Sequence, residues 1–292
     1  MQITQLSEAT QRPRRIAVGE FDGVHVGHRA VIAGNDTVLT FEPHPMAVLN
    51  PGAEPKLLTS LELKSELIAA LGVEELVILP FDEGFARQSG REFIDGVLVD
   101  QLGVTHVSVG TNFRFGHSGD GTTALLVTDP RFQARVVPLV EGEGAIVSSS
   151  RIRGLVAEGN VAQAADLLGQ PFRLRGEVVS GDQRGRDLGF PTANLIPGPG
   201  LVCPAHGVYA CRVGSHMAAV NVGVRPTFGD GQALLVEAFL LDFAADLYGQ
   251  VLTVEFVARL RGEERFDDAE SLISEMHRDV ERTRELLGST TA

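Results

Sequence analysis

The sequence predicts an α/β protein in two parts: a mostly parallel sheet with helices on both faces, and then a small antiparallel β-barrel closed by a terminal helix. Three observations predict it. Up to residue 169, short apolar strands alternate with capped amphipathic segments, the pattern of crossover connections. At Gln170-Pro171 the character changes, and glycine turns then separate closely spaced strands. The chain ends in one more amphipathic helix. The expected domains are therefore 1–169 and 170–292.

Each element has its own signal. Residues 16–18 read as a strand, 24–33 as a short helix and 37–41 as a second strand. Thr59-Ser-Leu-Glu62 has the form of a capping box and opens a helix through Leu63, Leu67, Ile68 and Leu71. A buried strand follows at 76–79. Ser89-Gly-Arg-Glu92 caps a helix with Phe93, Ile94, Val97, Leu98 and Leu102 on one face. Strands at 106–109 and 134–140 complete the sheet, and Asn160 caps a helix that stops at Gly169. In the second part, strands are expected at 172–179, 208–213, 218–222, 234–241 and 251–260, with Gly214-Ser-His216 as a hairpin tip. Asp267 or Asp268 caps the last helix, which turns Leu272, Ile273, Met276 and Val280 inward and ends at Gly288.

Composition narrows the function. Of 292 residues 43% are hydrophobic and 22% charged, which suits a globular protein with ample core. The net charge of −13 excludes sequence-independent nucleic-acid binding, which needs a basic face. Anionic ligands must then be met by local arginines, glycine-loop amides or a metal ion. Two cysteines, Cys203 and Cys211, lack zinc spacing and read as reduced thiols. No apolar run reads as a leader or a bilayer span, so a cytoplasmic protein with no membrane partner is expected.

Gly19-Glu-Phe-Asp-Gly-Val-His-Val-Gly-His28 follows the first strong strand. There, free N–H groups and a helix dipole attract phosphate, at the sheet end where ligands bind. Gly19 and Phe21 open the turn, and Gly23 and Gly27 permit close backbone approach. His25 and His28 share one face and suit hydrogen bonding to phosphate oxygens, or helix capping. Downstream, Ser148-Ser-Ser-Arg-Ile-Arg153 offers hydroxyls and guanidiniums for a phosphate chain, or a plain N-cap.

A second glycine-rich stretch contains Gly181, Gly185 and Gly189, with Arg184 and Arg186 between them. Thr192 and Asn194 are two apart and point to one face of a strand, as hard oxygen ligands suited to Mg²⁺ or as a turn-to-strand junction. No Walker A pattern occurs. Glu237 stands in an apolar strand, where a carboxylate faces solvent, faces a site or pairs with an arginine.

The string from Gly19 to His28, with Thr40-Phe-Glu-Pro-His-Pro45, Gly110-Thr-Asn-Phe-Arg-Phe-Gly116, Ser148–Arg153 and Gly185-Arg-Asp-Leu-Gly-Phe-Pro-Thr-Ala-Asn194, resembles the bacterial bifunctional riboflavin kinase/FMN adenylyltransferases nearly end to end. The resemblance implies a Rossmann-like nucleotidyltransferase domain followed by a riboflavin kinase barrel. It implies ATP-dependent conversion of riboflavin to FMN, and then of FMN to FAD with release of pyrophosphate. The flavins, ATP and Mg²⁺ are the implied substrates and cofactor, and flavin-requiring apoproteins the implied recipients. On this resemblance His25 and His28 stabilise the adenylyl-transfer transition state, and Ser149, Ser150 and Arg153 hold the triphosphate. Asn112 contacts the nucleotide. Phe113 and Phe115 suit a flavin wall or the core, and His44 a pocket wall or a turn. Thr192 and Asn194 carry Mg²⁺, with Gly181, Gly185 and Arg186 over the phosphates. Glu237 is the general base of the kinase, Asn221 is barrel scaffolding, and Arg261 borders the flavin. One departure stands out: the crossover over 29–36 is short. It predicts a poorly buttressed helix under His28, and hence a weakened or lost adenylyltransferase as the alternative.

Overall fold

The computed structural model describes residues 1–180, 190–226 and 232–288. They form two compact units, Met1–Ser149 and Ser150–Ala292. The strand character changes at 169/170, whereas the compact units divide earlier, within a helix.

The first unit holds β1 (Gln2–Gln5), β2 (Arg14–Val18), β3 (Thr37–Glu42), β4 (Glu75–Pro80), β5 (Val104–Gly110), the short pair β6 (Arg114–Phe115) and β7 (Gly121–Thr122), β8 (Gln133–Val137), and a second short pair, β9 (Glu141–Gly142) and β10 (Ala145–Ile146). Six strands make one sheet in the order β1-β4-β3-β2-β5-β8. Every pairing in it is parallel. The edge strand β1 carries too little apolar residue to announce itself in the sequence; it is recruited by register, Ile3 beside Leu76.

The helices are α1 (Val26–Ile32), α2 (Pro45–Leu49), α3 (Leu61–Ala69), α4 (Glu83–Ala86), α5 (Gly90–Glu92), which runs on as a π-helical stretch Phe93–Gln101, and α6 (Thr123–Val127). Strand residues alternate between two cores. Ile16, Val18, Leu39 and Val77 face Phe93, Ile94 and Leu98, while Ala17, Val38 and Leu76 face Val31, Ile32, Leu67 and Ile68. Burial on both faces explains the near-continuous apolar runs.

The capping box at Ser89 forms as the sequence predicts, with both reciprocal hydrogen bonds present. The one expected at Thr59 is shifted. Ser60 is the cap of α3 and accepts from Leu63 N, while the Thr59 hydroxyl is taken by Gly23 N at 3.2 Å.

The second unit opens with α7 (Ser149–Ala157), whose first residue belongs to the first unit, and α8 (Val161–Leu168). Strands β11 (Phe172–Val179), β12 (Ala193–Pro197), β13 (Gly207–Val213), β14 (His216–Pro226), β15 (Gln232–Leu240) and β16 (Val251–Arg261) close a barrel in the order β11-β12-β15-β14-β13-β16. Gly214, at φ 58°, turns the β13–β14 hairpin. The terminal helix α9 (Ala269–Gly288) packs on β13, β14 and β16. Asp268 caps it through a 2.7 Å bond from Ser271 N. Its most buried residues are Asp279, Thr283 and Leu287, whereas the expected Leu272, Ile273, Met276 and Val280 are half-buried. The reason is Arg261, whose guanidinium clasps the Asp279 carboxylate at 2.8–3.2 Å and draws that turn inward.

At the bottom of the sheet Arg14, 1% exposed, donates to Glu75 at 3.1 Å and to the carbonyls of Thr10 and Leu102 at 2.7 Å each. Burial pushes the Glu75 carboxyl up, but hydrogen bonds from Arg14 and Arg12 hold it below its ordinary value. Replacing Arg14 with Met strands two carbonyls and half-unpairs a buried charge. Arg14→Met is therefore expected to destabilise the protein by about 3 kcal/mol, read as a lower urea midpoint; an unchanged midpoint would show the pair to be dispensable.

Candidate functional site

The loop after β2 is built under constraint. Phe21 and Val24 have φ of 52° and 44°, a region that side-chain-bearing residues avoid, and Gly23 lies at 83°. A buried carboxylate holds them there: Asp22 accepts from Leu58 N at 2.8 Å and from Thr59 N at 3.1 Å. The Asp22 carbonyl in turn accepts from Ser149 Oγ at 2.9 Å.

The chain then enters α1 with His25 as N-cap. Its Nδ1 accepts from His28 N at 3.2 Å. A backbone N–H can only donate, so neutral His25 carries its proton on Nε2. The His25 and His28 rings stack at 3.5 Å, and Phe21 meets His28 edge-on at 5.4 Å. Gly27 makes room for this: a Cβ there would lie 3.1 Å from His25 Cε1. Gly19 does the same for Phe21, whose ring would lie 3.1 Å from such an atom.

The expectation of a poorly buttressed α1 is corrected. The helix is short, but its C-terminal carbonyls are all engaged. Asn35 Nδ2 donates to Val31 and Ile32 O at 3.0 Å, and Arg135 Nη2 to Val31 O at 2.8 Å and Ala33 O at 2.7 Å. Side-chain capping replaces the missing helical turn.

The loop after β2 and the start of α1 line a cavity of about 740 Å³ at the carboxyl end of the sheet. From β2 the chain passes to β3 on one side and later to β5 on the other, so the cavity sits at the switch point of the sheet order. Gly19, Glu20, Phe21, His25, Gly27 and His28 form one wall, and Asn112, Phe113 and Phe115 another; Ser149 lines it too. Phe113 and Phe115 stack at 5.4 Å. Phe115 is also a core residue, 8% exposed, so wall and core are one surface. Phe81 and Phe85 extend this aromatic side. His44 is not among the lining residues: it caps α2, its Nδ1 accepting from Met46 N at 3.1 Å. Ser150 and Arg153 lie on α7, where Arg153 Nη2 donates to Ser150 Oγ at 3.1 Å.

Burial sets the electrostatics. It lowers the His25 pKa to about 4, and His28 falls well below its ordinary value through burial, then the nearby charges of His25 and Lys64. Both rings are neutral at pH 7. Glu20 is pushed up to about 8 by burial, with Lys64 opposing and Asp22 and Glu42 adding to the rise.

In the barrel, register makes the site. Glu237 on β15 pairs with Asn194 on β12 and with Asn221 on β14, so three polar side chains form a row across three strands. Asn221 Nδ2 donates to Glu237 Oε2 at 3.2 Å. The alternate residues Leu195, Val236 and Val222 are buried on the opposite face. Thr192 and Asn194 line a neighbouring cavity of about 530 Å³ with Phe243, Asp246 and Tyr248; Glu237 is not among its lining residues. Asp242, a second carboxylate just after β15, is bound by Arg284 at 2.7 Å. Arg261 is committed to Asp279 rather than presenting an unclaimed guanidinium. Gly181, Gly185 and Arg186 lie outside the described residues.

Sequence reasoning missed Glu20, Asn35, Thr59, Lys64 and Arg135 as builders of the first site, and it read Asn221 as scaffold. Asn221 carried the same signal as Glu237, a polar residue in an apolar strand. Nothing local marks Arg135 or Lys64.

Residues 7–151 match the family model of FAD synthetase and residues 168–287 that of riboflavin kinase. A bifunctional riboflavin kinase/FMN adenylyltransferase of Listeria monocytogenes is 37% identical over 95% of this chain and 93% of its own. The Escherichia coli K12 protein of the same description is 36% identical over 99% and 97%. This chain belongs to the bifunctional riboflavin kinase/FMN adenylyltransferase family. A Streptococcus pneumoniae crystal structure described as a macrolide-efflux protein shares the fold, with TM-score 0.88 and 30% identity over 97% of this chain and 99% of that one. Among the described residues here, no helix is long and apolar enough to cross a membrane.

The tight fit at Gly27 gives a direct test. Gly27→Ala pushes the His25 ring from its stack, and FAD formation is expected to fall by about ten- to a hundredfold with little change in Tm. Wild-type FAD formation in this variant would show that ring placement does not matter.

Proposed function

We propose that the two activities use separate sites, adenylyl transfer in the cavity of the first unit and riboflavin phosphorylation at the Glu237 row of the barrel. One observation carries this division: the stacked histidines and the Glu237 row belong to different compact units.

In the first site an FMN phosphate oxygen attacks the α-phosphorus of ATP and pyrophosphate leaves. Charge grows on the α-phosphate oxygens as it does so. The neutral His25 presents an Nε2–H donor to that charge, and His28 stacks against it. Ser149 supplies a hydroxyl to the triphosphate, and Asn112 contacts the nucleotide. The aromatic side with Phe113 and Phe115 receives the flat isoalloxazine.

In the barrel Glu237, oriented by Asn221, takes the proton of the ribityl hydroxyl as that oxygen attacks the γ-phosphorus of ATP. The donors fit Mg²⁺: a hydroxyl and an amide carbonyl on Thr192 and Asn194 are hard oxygen ligands, next to a carboxylate in register. Among the described residues no cluster of three His, Cys, Asp or Glu could hold a metal by itself, which suits an ion that arrives with ATP. When bound, that ion would offset the charge of the phosphates. The thiols Cys203 and Cys211, outside any disulfide among the described residues, suit the reducing cytoplasm.

Glu237→Ala is expected to abolish FMN formation from riboflavin and to leave conversion of supplied FMN to FAD. His28→Ala is expected to do the reverse. Chromatographic separation of riboflavin, FMN and FAD after incubation with ATP and Mg²⁺ reads both, and parallel loss of the two activities in either variant would contradict separate sites.

A further inference from the structure

Glu20 follows Gly19 at the end of β2 and lines the same cavity as His25 and His28. Its carbonyl accepts from Thr40 Oγ1 at 3.1 Å, which fixes the backbone that carries it. Its Oε1 is buried without a hydrogen-bond partner among the described residues, and so is His28 Nδ1 in the same cavity. A buried polar atom without a partner is costly, and such atoms are concentrated where a ligand completes the bonding.

The groups around Glu20 decide its chemical form. Asp22 in the loop and Glu42 at the end of β3 both disfavour a further negative charge, Lys64 on α3 favours one, and His25 and His28 on α1 are neutral. Two carboxylates and burial outweigh one ammonium. Ionised, a carboxylate accepts only and repels phosphate; protonated, it has one O–H to donate. Phosphate oxygens are acceptors. The complement of an anionic substrate at this position is therefore the acid and not its anion.

We propose that Glu20 contacts substrate as an un-ionised carboxylic acid, donating a hydrogen bond to a phosphate oxygen of FMN or ATP during adenylyl transfer. This rests on the assignment of adenylyl transfer to the cavity, and the test keeps the two apart.

The full-length protein, with FMN, ATP and Mg²⁺, is assayed for FAD formation from pH 6 to 9 as wild type, Glu20→Gln, Glu20→Leu and His28→Ala. For wild type, kcat/KM is expected to fall about tenfold per unit once the pH passes about 8, where the acid ionises. Glu20→Gln keeps a donor that does not titrate, so it stays within about threefold of wild type at pH 7 and loses the alkaline fall. Glu20→Leu has no donor and nothing to titrate, so it is about tenfold slower than Glu20→Gln at every pH, the scale of one hydrogen bond. A raised KM for FMN in this variant assigns the bond to the flavin phosphate, and a raised KM for ATP assigns it to the triphosphate.

Stability gives a second readout. A carboxyl whose folded pKa is about 8 against an ordinary 4.5 contributes fully below 4.5, and that contribution is lost as pH rises through 8. Glu20→Gln should therefore gain Tm over wild type more at pH 8 than at pH 5. Equal differences at the two pH values would contradict the un-ionised form. If Glu20→Gln is as slow as Glu20→Leu, the negative charge is needed, as for a cation ligand, and the proposal falls. It falls also if both variants match wild type while His28→Ala is inactive. Wild-type FAD formation by His28→Ala would instead overturn the assignment of the cavity itself.

Discussion

A buried carboxylate holds the first site in its working shape. Phe21 and Val24 sit in a backbone region that costs about 1–3 kcal/mol each. Against this stand two backbone N–H bonds from Leu58 and Thr59 to Asp22, each of a kind worth about 1.5–3 kcal/mol. The two sums are of similar size, so the loop keeps its form only while the lock is made. From that form the rest follows. His25 arrives at the start of α1 as a cap, its ring turns over Gly27, and His28 stacks on it.

The barrel reaches its polar cluster by other means. No strained loop is needed, because antiparallel register sets Asn194, Glu237 and Asn221 side by side on one face while Leu195, Val236 and Val222 fill the other. A one-residue slip would turn all three polar groups into the core. The Arg261–Asp279 and Arg284–Asp242 pairs then bind the terminal helix to β16 and to the turn after β15. One unit thus places its chemistry with a locked turn, the other with a ladder.

The order of strands and helices was legible because apolar period and capping residues are local signals. The strands over 172–179 and at 16–18 and the Ser89 cap needed nothing beyond their own segment. The residues proposed for the two sites stand where a motif carries them: His25, His28, Thr192, Asn194 and Glu237. What sequence reasoning lost was long-range. Thr59 looks like a helix cap until Gly23, 36 residues away, claims its hydroxyl. Arg135 looks like an ordinary strand arginine, yet it engages the carbonyls left open by a shortened helix about a hundred residues earlier. The short crossover was visible; its compensation was not. Asp279 was invisible as a core residue because only Arg261 makes its burial tolerable.

The first site depends most on the Asp22 lock, and Asp22→Ala tests it directly. The methyl group offers no acceptor to Leu58 N or Thr59 N. FAD formation from supplied FMN is expected to fall by at least about a hundredfold, while the same sample still makes FMN from riboflavin. FAD formation at the wild-type rate in this variant would contradict the claim that the strained loop places the histidine pair.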